Sequence, residues 1–346
     1  MNWKLKSLIR RGLTAAPGGH HLYRWLTAKV FGMQAGMATK WFRVIPNHVK
    51  VMQHHFGATA RDTVMWCFNC GATPAPAYAM ALATDRPGLL TDQDDRMTSR
   101  YLAVSRRLLA AQGPALAALA GAPAGRLAEL LEKIPAAGDE RAVMAGIGMT
   151  YSARHETALQ APWCGTIGLM FSTGTMEHYS PEQLEAWIAM VGKALRPDGV
   201  LSHVMDHRDH RWHADKSLSP WLQYTLSEAQ FRQVMGNTLD YHNRWLKSDW
   251  VRFFERHGWE VTCRTVIANT PDLVQTPREL LAPAFRDAPA GDFDSLVTHF
   301  VAKRRDMGII NINAANSTNT STEGNNDTTS RDKDIITIVH AEYEVN

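Results

Sequence analysis

Short apolar runs alternate with amphipathic stretches from about residue 63 to residue 304. The runs with the length and composition of buried strands are TVMWCF, GLLTD, TIGLMFST, GVLSHVMD, WEVTCRTVI and LVTHFVAKR. Between them lie segments with the spacing of helices that bury one face. Strands that alternate with helices in this way indicate βαβ units and a parallel sheet, so the pattern predicts an α/β fold.

The clearest predicted helix follows the third of these strands. Ser180 is a suitable N-cap, Pro181 suits the first helical position, and Gln183 completes a capping box. The apolar stripe of this helix consists of Leu184, Ile188, Val191 and Leu195. Pro197 and Gly199 within the sequence LRPDG predict a turn that ends the helix.

Two other regions have helical patterns. A helix is predicted over SDWVRFFERHG, with Ser248 as its N-cap and Gly258 as the left-handed residue after its end. Residues 98–134 are rich in Ala, Leu and Arg and predict two helices that are separated near Gly113 and Pro114.

Composition divides the chain into three predicted regions. Residues 1–58 predict a helical N-terminal extension, and residues 59–305 carry the alternating strands and helices. Residues 306–346 are rich in Asn, Ser and Thr, which predicts a disordered tail, although the closing IITIVHAEYEVN has the composition of an edge strand or of a foreign appendage.

Charge and cysteine content narrow the class of protein. The 346 residues are 45% apolar and carry a formal net charge of +3, which supports a sizeable core and gives no reason to expect a nucleic-acid partner. Four scattered cysteines predict a reducing, cytoplasmic environment instead of a disulfide framework. We expect no membrane span, although the basic N-terminus could form a helix that contacts an anionic membrane surface weakly.

One long stretch carries a family resemblance. In TIGLMFSTGTMEHYSPEQLEAWIAMVGKALRPDGVLSHVMDHRDH, a strand is followed by Glu177 and His178, a helix, the LRPDG turn and a further strand. This order resembles the second half of class I S-adenosylmethionine-dependent methyltransferases. The segments YHNRWLKSDWVRFFERHGWEV, GMTYSARHETAL and APGGHHLYRWL look like a subgroup tied to glycan or polysaccharide biosynthesis.

The resemblance implies both a fold and an activity. The fold would be the Rossmann-like class I methyltransferase fold, a seven-stranded, mainly parallel sheet with helices on both faces. The activity would be transfer of a methyl group from S-adenosylmethionine to an oxygen of a saccharide or a related small molecule. The alternative is a non-catalytic, methyltransferase-like binding or scaffold protein.

Candidate cofactor residues follow the predicted strands, because ligands of open parallel sheets bind at the carboxyl ends of the strands. These candidates are Asn69, Cys70, Gly71, Asp92, Gln93, Ser172, Thr173 and Glu177. Asp92 is the strongest of them, since a carboxylate about 20 residues after the first turn can accept hydrogen bonds from ribose hydroxyls. Its simpler alternative role is that of a helix cap or a solvated acid.

The sequence CFNCGAT contains a pair of cysteines where the first ligand-binding turn is expected. In the resembling subgroup the turn is approximately ELGPGDS, which aligns Cys67 with the acidic residue, Asn69 with the first glycine and Gly71 with the second. Asn tolerates positive φ well, so we expect Asn69 to be left-handed. Cys67 cannot supply the carboxylate, which favours the non-catalytic alternative. A metal clip or a redox pair is less favoured, because further ligands at suitable spacing and a helix start are missing.

The catalytic candidates lie after the third and fourth predicted strands. They are His178, Asp206, Asp209 and His210. Near a methyl acceptor, one of these groups could orient a hydroxyl while another accepts its proton. One alternative is a His/Asp metal site within DHRDHRWH, which contains Asp206, His207, Asp209, His210 and His213, and the other is a polar loop without function. We expect acceptor placement and no metal.

Overall fold

The computed structural model describes residues 12–13, 16–19, 22–23, 35–235 and 241–305. The predicted basic helix at the N-terminus and the predicted tail over residues 306–346 lie outside these ranges. The N-terminal extension over residues 1–58 is described mainly by its last helix, so the three predicted regions stay predictions. No helix within the described residues is both long enough and apolar enough to cross a membrane.

A seven-stranded sheet organises the described chain. Its strands are β1 (Val64–Phe68), β2 (Gly88–Thr91), β3 (Met149–Ser152), β4 (Ile167–Thr173), β5 (Leu195–Asp206), β6 (Trp259–Ala268) and β7 (Ser295–Arg304). Their spatial order is β3-β2-β1-β4-β5-β7-β6. Strands β1 to β5 pair in parallel, and β7 is antiparallel to both β5 and β6. The prediction of an α/β fold with a mainly parallel sheet is confirmed.

Ten α-helices connect or flank these strands within the described ranges. They are α1 (Ala35–Phe56), α2 (Ala75–Ala83), α3 (Leu102–Ala120), α4 (Arg126–Lys133), α5 (Glu140–Gly146), α6 (Pro181–Ala194), α7 (His210–Ala214), α8 (Glu228–Met235), α9 (Lys247–Arg256) and α10 (Pro283–Arg286).

Helices cover both faces of the sheet, as expected. Alternate residues of a strand point to opposite faces. In β1, Met65 and Cys67 join the core under α1, α2 and α3, whereas Trp66 and Phe68 join the core under α6 and α9. All five residues of β1 are buried. The uninterrupted apolar run that predicted this strand therefore reflects a central strand that is covered on both sides.

The prediction was wrong about one strand and one turn. Strand β3 was not among the six apolar runs, because it lies at the sheet edge and only Met149 of its four residues is buried. Helix α6 ends at Ala194, directly before LRPDG as predicted, but LRPDG belongs to β5. Its flanking residues Leu195 and Val200 pair with Ile167 and Leu169 of β4, so the residues between them form a bulge within the strand.

Helix boundaries were predicted with mixed success. The capping box of Ser180 and Gln183 at α6 and the left-handed Gly258 (φ 80°) after α9 are confirmed. Ser248 is not the cap of α9, because its hydroxyl donates to Asp292 at 2.6 Å. Asp249 instead accepts the N–H of Leu246 at 2.9 Å, at the start of the helix.

The predicted break near Gly113 and Pro114 was also wrong. Helix α3 continues through both residues and ends at Ala120, before the left-handed Gly121. A Cβ atom at Gly113 would lie 2.7 Å from Cδ1 of Leu127 in α4. The glycine therefore permits close approach of two helices and does not end one.

A buried polar network connects α1 to the sheet. The ring of His48 hydrogen-bonds Ser202 in β5 at 2.7 Å and Thr173 in β4 at 3.1 Å. The hydroxyl of Ser202 also contacts His299 in β7 at 2.8 Å. Burial lowers the pKa of His48 well below its ordinary value and that of His299 to about 3. Because the neutral rings make these contacts, the network fixes α1 against three strands.

We expect this burial of histidines to make the fold sensitive to acid. His48 and His299, together with His203, whose pKa burial lowers to about 3, stay neutral in the folded state while the unfolded chain titrates near pH 6.5. The stability that these neutral rings contribute is fully present above pH 6.5 and is lost as the pH falls toward the pKa of the folded state. Between pH 7.5 and pH 5, each histidine should lower the free energy of unfolding by about 1 to 2 kcal/mol.

Urea unfolding between pH 7.5 and pH 5 measures this effect. His299→Gln, which cannot titrate, should reduce the slope of unfolding free energy against pH, whatever its effect on absolute stability. An unfolding free energy that stays constant from pH 7 to pH 5 would contradict the prediction.

Candidate functional site

Four strands that carry candidate residues end at the same edge of the sheet. The chain crosses from β1 to β2 and β3 on one side of β1, and β4 and β5 continue the sheet on its other side. The carboxyl ends of β1 and β4 therefore border a point at which the strand order reverses. In open α/β sheets such a switch point leaves a crevice where ligands bind.

The turn after β1 has the backbone conformation expected for Asn69. Asn69 has φ 53° and Gly71 has φ 77°, so both are left-handed, and the prediction for Asn69 is confirmed. The N–H of Cys70 donates to the carbonyl of Thr91 at 3.1 Å. Trp41 of α1 donates its indole N–H to the carbonyl of Cys70 at 3.2 Å. The turn is thus held by β2 and by α1.

The carboxylate of Asp92 ties this turn to the end of β2. It accepts the backbone N–H groups of Gly71 and Gln93, each at 2.8 Å, and it pairs with the guanidinium of Arg96. Asp92 is fully buried, whereas the side chain of Arg96 is 28% exposed. Arg96 escaped the sequence analysis, because nothing in QDDR distinguishes a partner of Asp92 from a solvated charge.

Tyr179 bridges the switch point. The side-chain amides of Asn69 and Gln93 donate to its hydroxyl at 2.8 and 2.7 Å. Tyr179 follows β4, so these two hydrogen bonds join residues from both sides of the strand-order reversal. Oδ1 of Asn69 is buried and has no hydrogen-bond partner in the part of the chain that the structure describes. Tyr179 was missed, although it directly follows the Glu177 and His178 pair that the sequence analysis singled out.

The two cysteines of CFNC are buried thiols. Burial raises the pKa of both Cys67 and Cys70, with the negative charge of Asp92 as a further cause. Both thiols are free, and neither belongs to a cluster of potential metal ligands among the described residues. A protonated, buried thiol is a poor nucleophile and a poor ligand, so this geometry opposes a redox pair or a metal clip.

Ser172 and Thr173 lie within β4, and their hydroxyls are engaged inside the core. Ser172 contacts Nδ1 of His203 at 2.7 Å, and Thr173 contacts Nε2 of His48 at 3.1 Å. Both hydroxyls are therefore engaged with histidines of the core and not with the turn after β1. These two cofactor candidates therefore have structural partners already.

A second polar cluster gathers after β4 and β5. It contains the predicted residues Glu177, His178, Asp206 and His210, and His242 from the segment before α9 joins them. The ring centroids of His178 and His210 are 4.9 Å apart, and those of His210 and His242 are 4.8 Å apart. His242 was missed, because its position beside the cluster depends on how the chain returns to the sheet.

Two carboxylates near this cluster have arginine partners. Asp206 accepts hydrogen bonds from Arg208 at 2.7 and 2.6 Å, and Asp209 pairs with Arg211 and caps α7. Burial alone would raise the pKa of Asp206, but hydrogen bonds from Arg208 and His213 outweigh it and hold that pKa well below the ordinary value. Asp206 is therefore ionised at neutral pH.

The remaining groups of the cluster are perturbed by burial. Burial raises the pKa of Glu177, which lies beside the charged Asp206. Burial, followed by the neighbouring His242 and His178, holds the pKa of His210 well below its ordinary value. Burial also lowers the pKa of His242 to about 3. His210 and His242 are therefore neutral imidazoles at pH 7, and each keeps one ring nitrogen with a lone pair.

Two sets of three residues have the chemistry of metal ligands. The first set is Glu177, His178 and His210; each residue offers one ligand atom, and these three atoms lie within 4.8 Å of one another. The second set is Asp206, His210 and His213, whose three ligand atoms also lie within 4.8 Å of one another. His210 belongs to both sets. The second set is the His/Asp alternative that the sequence left open, whereas the first set was not foreseen as a metal site.

The conformation of Asn69 gives a test of the turn. Asn69→Ala and Asn69→Gly remove the same hydrogen bond to Tyr179 but differ in their tolerance of positive φ. We expect the alanine variant to be less stable than the glycine variant by about 0.5 to 1 kcal/mol, which allows for the greater unfolded-state entropy of glycine. Urea unfolding measures the difference, and an alanine variant as stable as the glycine variant would contradict the left-handed assignment.

Comparisons with known proteins give weak similarity only. No protein-family model and no curated protein matches the chain. Among solved structures, phosphoethanolamine N-methyltransferase 2 of Haemonchus contortus, in complex with S-adenosylhomocysteine, is 13% identical with a TM-score of 0.40 over 75% of this chain and 52% of that one. Geranyl diphosphate C-methyltransferase of Streptomyces coelicolor A3(2) is 10% identical with a TM-score of 0.39 over 76% of this chain and 80% of that one.

These likenesses do not establish an activity. This chain spans about half the length of the Haemonchus contortus enzyme. Both matched proteins are methyltransferases, but their acceptors differ, and the similarity is too low to transfer either acceptor to this chain.

Proposed function

We propose that the protein is an S-adenosylmethionine-dependent methyltransferase that acts on an oxygen of a saccharide or a related small molecule. The observation that carries the proposal is the meeting of the turn after β1 with Asp92 beside the strand-order reversal. Gly71 and Asp92 were predicted to be neighbours in a cofactor site, and a hydrogen bond of 2.8 Å joins them. The sequence resemblance supplies the chemistry that this arrangement would serve.

The residues of the turn fit an adenosine cofactor with one rearrangement. The left-handed Gly71 permits close approach of a ligand to the backbone, and the unpartnered Oδ1 of Asn69 can accept a hydrogen bond. For Asp92 to accept ribose hydroxyls, Arg96 must release at least one of its contacts. Because the Arg96 side chain is partly exposed, its guanidinium can move toward solvent.

The second cluster would hold the methyl acceptor. When bound, S-adenosylmethionine supplies an activated methyl group on a sulfonium sulfur. His178 is exposed and can contact an incoming substrate, and the neutral His210 can accept the proton of an acceptor hydroxyl. Asp206, fixed by Arg208, keeps a negative charge beside the histidines and stabilises the ring that takes this proton. Correct placement of donor and acceptor supplies most of the remaining catalysis.

Two contacts favour the second candidate function, a non-catalytic binding or scaffold protein. The hydrogen bond from Asn69 to Tyr179 crosses the switch point, and the ion pair of Asp92 with Arg96 satisfies the carboxylate that a ribose would need. Cys67 also lacks the charge of the acidic residue that it replaces. These features would suit a domain that has lost its cofactor, and direct binding measurements distinguish the two functions.

The role of Asp92 can be separated from that of Arg96 by a matched pair of substitutions. Asp92→Asn should weaken binding of S-adenosylhomocysteine by about 1 to 3 kcal/mol, because the amide loses charge-assisted hydrogen bonds to the ribose. Arg96→Gln removes the competing cation and should leave binding unchanged or tighten it. Calorimetric titration of the native protein and of both variants measures these changes.

Stability controls are needed, since both substitutions break a buried ion pair. Urea unfolding shows whether a variant binds more weakly because it is partly unfolded. Arg96→Gln is the matched control, because it loses the same ion pair as Asp92→Asn but keeps the carboxylate. If the native protein binds neither S-adenosylmethionine nor its demethylated product, the scaffold function replaces the enzymatic one. Equal weakening in the two variants would assign Asp92 a structural role only.

The acceptor class has its own test. With radiolabelled S-adenosylmethionine and a panel of saccharides and small hydroxylated metabolites, we expect a methyl ether as the product. His210→Gln should lower kcat at least about tenfold, because a positioned acid or base contributes about 10² to 10⁴ in rate. Methylation only of amines or carbon centres would contradict the proposed O-methylation while leaving the cofactor assignment intact.

A further inference from the structure

The cluster after β4 and β5 contains a buried ligand atom without a partner. Glu177 is 2% exposed, and its Oε2 atom has no hydrogen-bond partner among the described residues. His242 is also 2% exposed, and its ring contacts the backbone of Asp206. A buried polar atom without a partner costs about 1 to 3 kcal/mol, and more when it is charged. The unpaired Oε2 of Glu177, close to ligand atoms of His178 and His210, therefore indicates a place for a positive ligand.

The hydrogen bonds around the cluster orient two of its members as ligands. Nδ1 of His178 lies 2.8 Å from the carbonyl oxygen of Tyr241, which can only accept, so Nδ1 carries the proton and Nε2 keeps a free lone pair. Oε1 of Glu177 accepts the backbone N–H of Asp206 at 3.3 Å, while Oε2 is left over. A second hydrogen bond that fixes the ligand in this way is typical of metal-binding histidines and carboxylates.

We propose that Glu177, His178 and His210 bind one divalent transition-metal cation, with zinc as the expected ion. Two imidazoles and one carboxylate form a common set of protein ligands for zinc at sites that keep a further position open. His178 is exposed, so solvent can reach this ligand. This ligand set replaces the sequence-based expectation of a site without metal.

Small side-chain movements are enough to complete this geometry. The three ligand atoms lie within 4.8 Å of one another. Ligands about 2.1 Å from one zinc ion are about 3 to 4 Å apart, so the atoms would move closer by about 1 Å. His242 belongs to neither set of ligand atoms and packs its ring against that of His210, with the centroids 4.8 Å apart.

The overlapping set of Asp206, His210 and His213 is the weaker candidate. Both oxygens of Asp206 already accept hydrogen bonds from the guanidinium of Arg208. A cation there would compete with an existing ion pair, whereas a cation at Glu177 would satisfy an atom that has no partner. Glu177 and His213 therefore distinguish the two sets in an experiment.

Any role of the ion in catalysis rests on the proposed methyl transfer, but its binding does not. In the acceptor cluster, a cation would coordinate a hydroxyl of the substrate and lower its pKa. With the ion bound, His210 would act as a ligand, and its coordinating nitrogen would no longer accept the proton of the hydroxyl. If the protein binds zinc but no cofactor, the zinc site stands and the proposed methyltransferase function is wrong. If it binds the cofactor but no zinc, the proposed function stands and the zinc site is wrong.

Direct titration of the full-length protein with zinc chloride tests the site. Protein treated with EDTA and dialysed should bind one equivalent of zinc by calorimetry, and magnesium should bind far more weakly because it prefers oxygen ligands. The exposed Cys164 and Cys263 are first replaced by serine, so that surface thiols do not contribute. Elemental analysis of protein purified without chelator provides an independent measure.

Three variants assign the ligands. Glu177→Gln and His178→Ala should each weaken zinc binding at least about tenfold, and His213→Ala, the matched control outside the proposed set, should not. If Glu177→Gln fails to fold, His178→Ala changes an exposed residue and still decides the matter. Absence of stoichiometric zinc binding by the native protein, or weakening by His213→Ala but not by Glu177→Gln and His178→Ala, would overturn the proposal.

Discussion

The parallel pairing of β1 with β4 is the constraint on which the rest of the structure depends. Val64 to Cys67 pair with Ile167 to Phe171, although about one hundred residues separate them in the chain. Every residue of both strands is buried. Because the strands run in the same direction, their carboxyl ends meet at one edge. The turn at Asn69 and the loop at Glu177 become neighbours for this reason alone.

The two halves of the candidate site differ in how their polar groups are satisfied. In the half after β1 and β2, Arg96 and two backbone N–H groups saturate Asp92, and Tyr179 takes the amides of Asn69 and Gln93. In the half after β4 and β5, Oε2 of Glu177 is buried and has no partner among the described residues. The first half keeps one such atom as well, Oδ1 of Asn69, which is an amide oxygen, whereas the second keeps a carboxylate oxygen that can bind a cation.

Buried, neutral histidines occur both in the core and in the candidate site. His48 and His299 are neutral and hold α1 to the sheet through Ser202. His210 and His242 are neutral in the cluster beside the strand ends. The same physical cause, burial that disfavours the charged imidazolium, acts in both places. In the core the neutral rings act as hydrogen-bonding elements, and in the cluster they remain available to a proton or a cation.

The sequence by itself determined the features that depend on local pattern. Six strands, the capping box of α6 and the left-handed Asn69 and Gly258 follow from apolar periodicity, side-chain capping and tolerance of positive φ, all of which act over a few residues. It also placed Asp92 beside the first turn, because strand ends in a parallel sheet meet at one edge. A short, half-exposed edge strand such as β3 has too little pattern to be found this way.

Only the tertiary structure decided which side chains satisfy one another. Arg96, Tyr179 and His242 became site residues through contacts between segments that are distant in the chain or indistinguishable from solvated loops. Ser248, predicted as a cap, donates to Asp292 instead, 44 positions along the chain. The physical reason is that burial makes every polar group find a partner or remain unpaired at a cost, and the identity of that partner depends on which segments pack together.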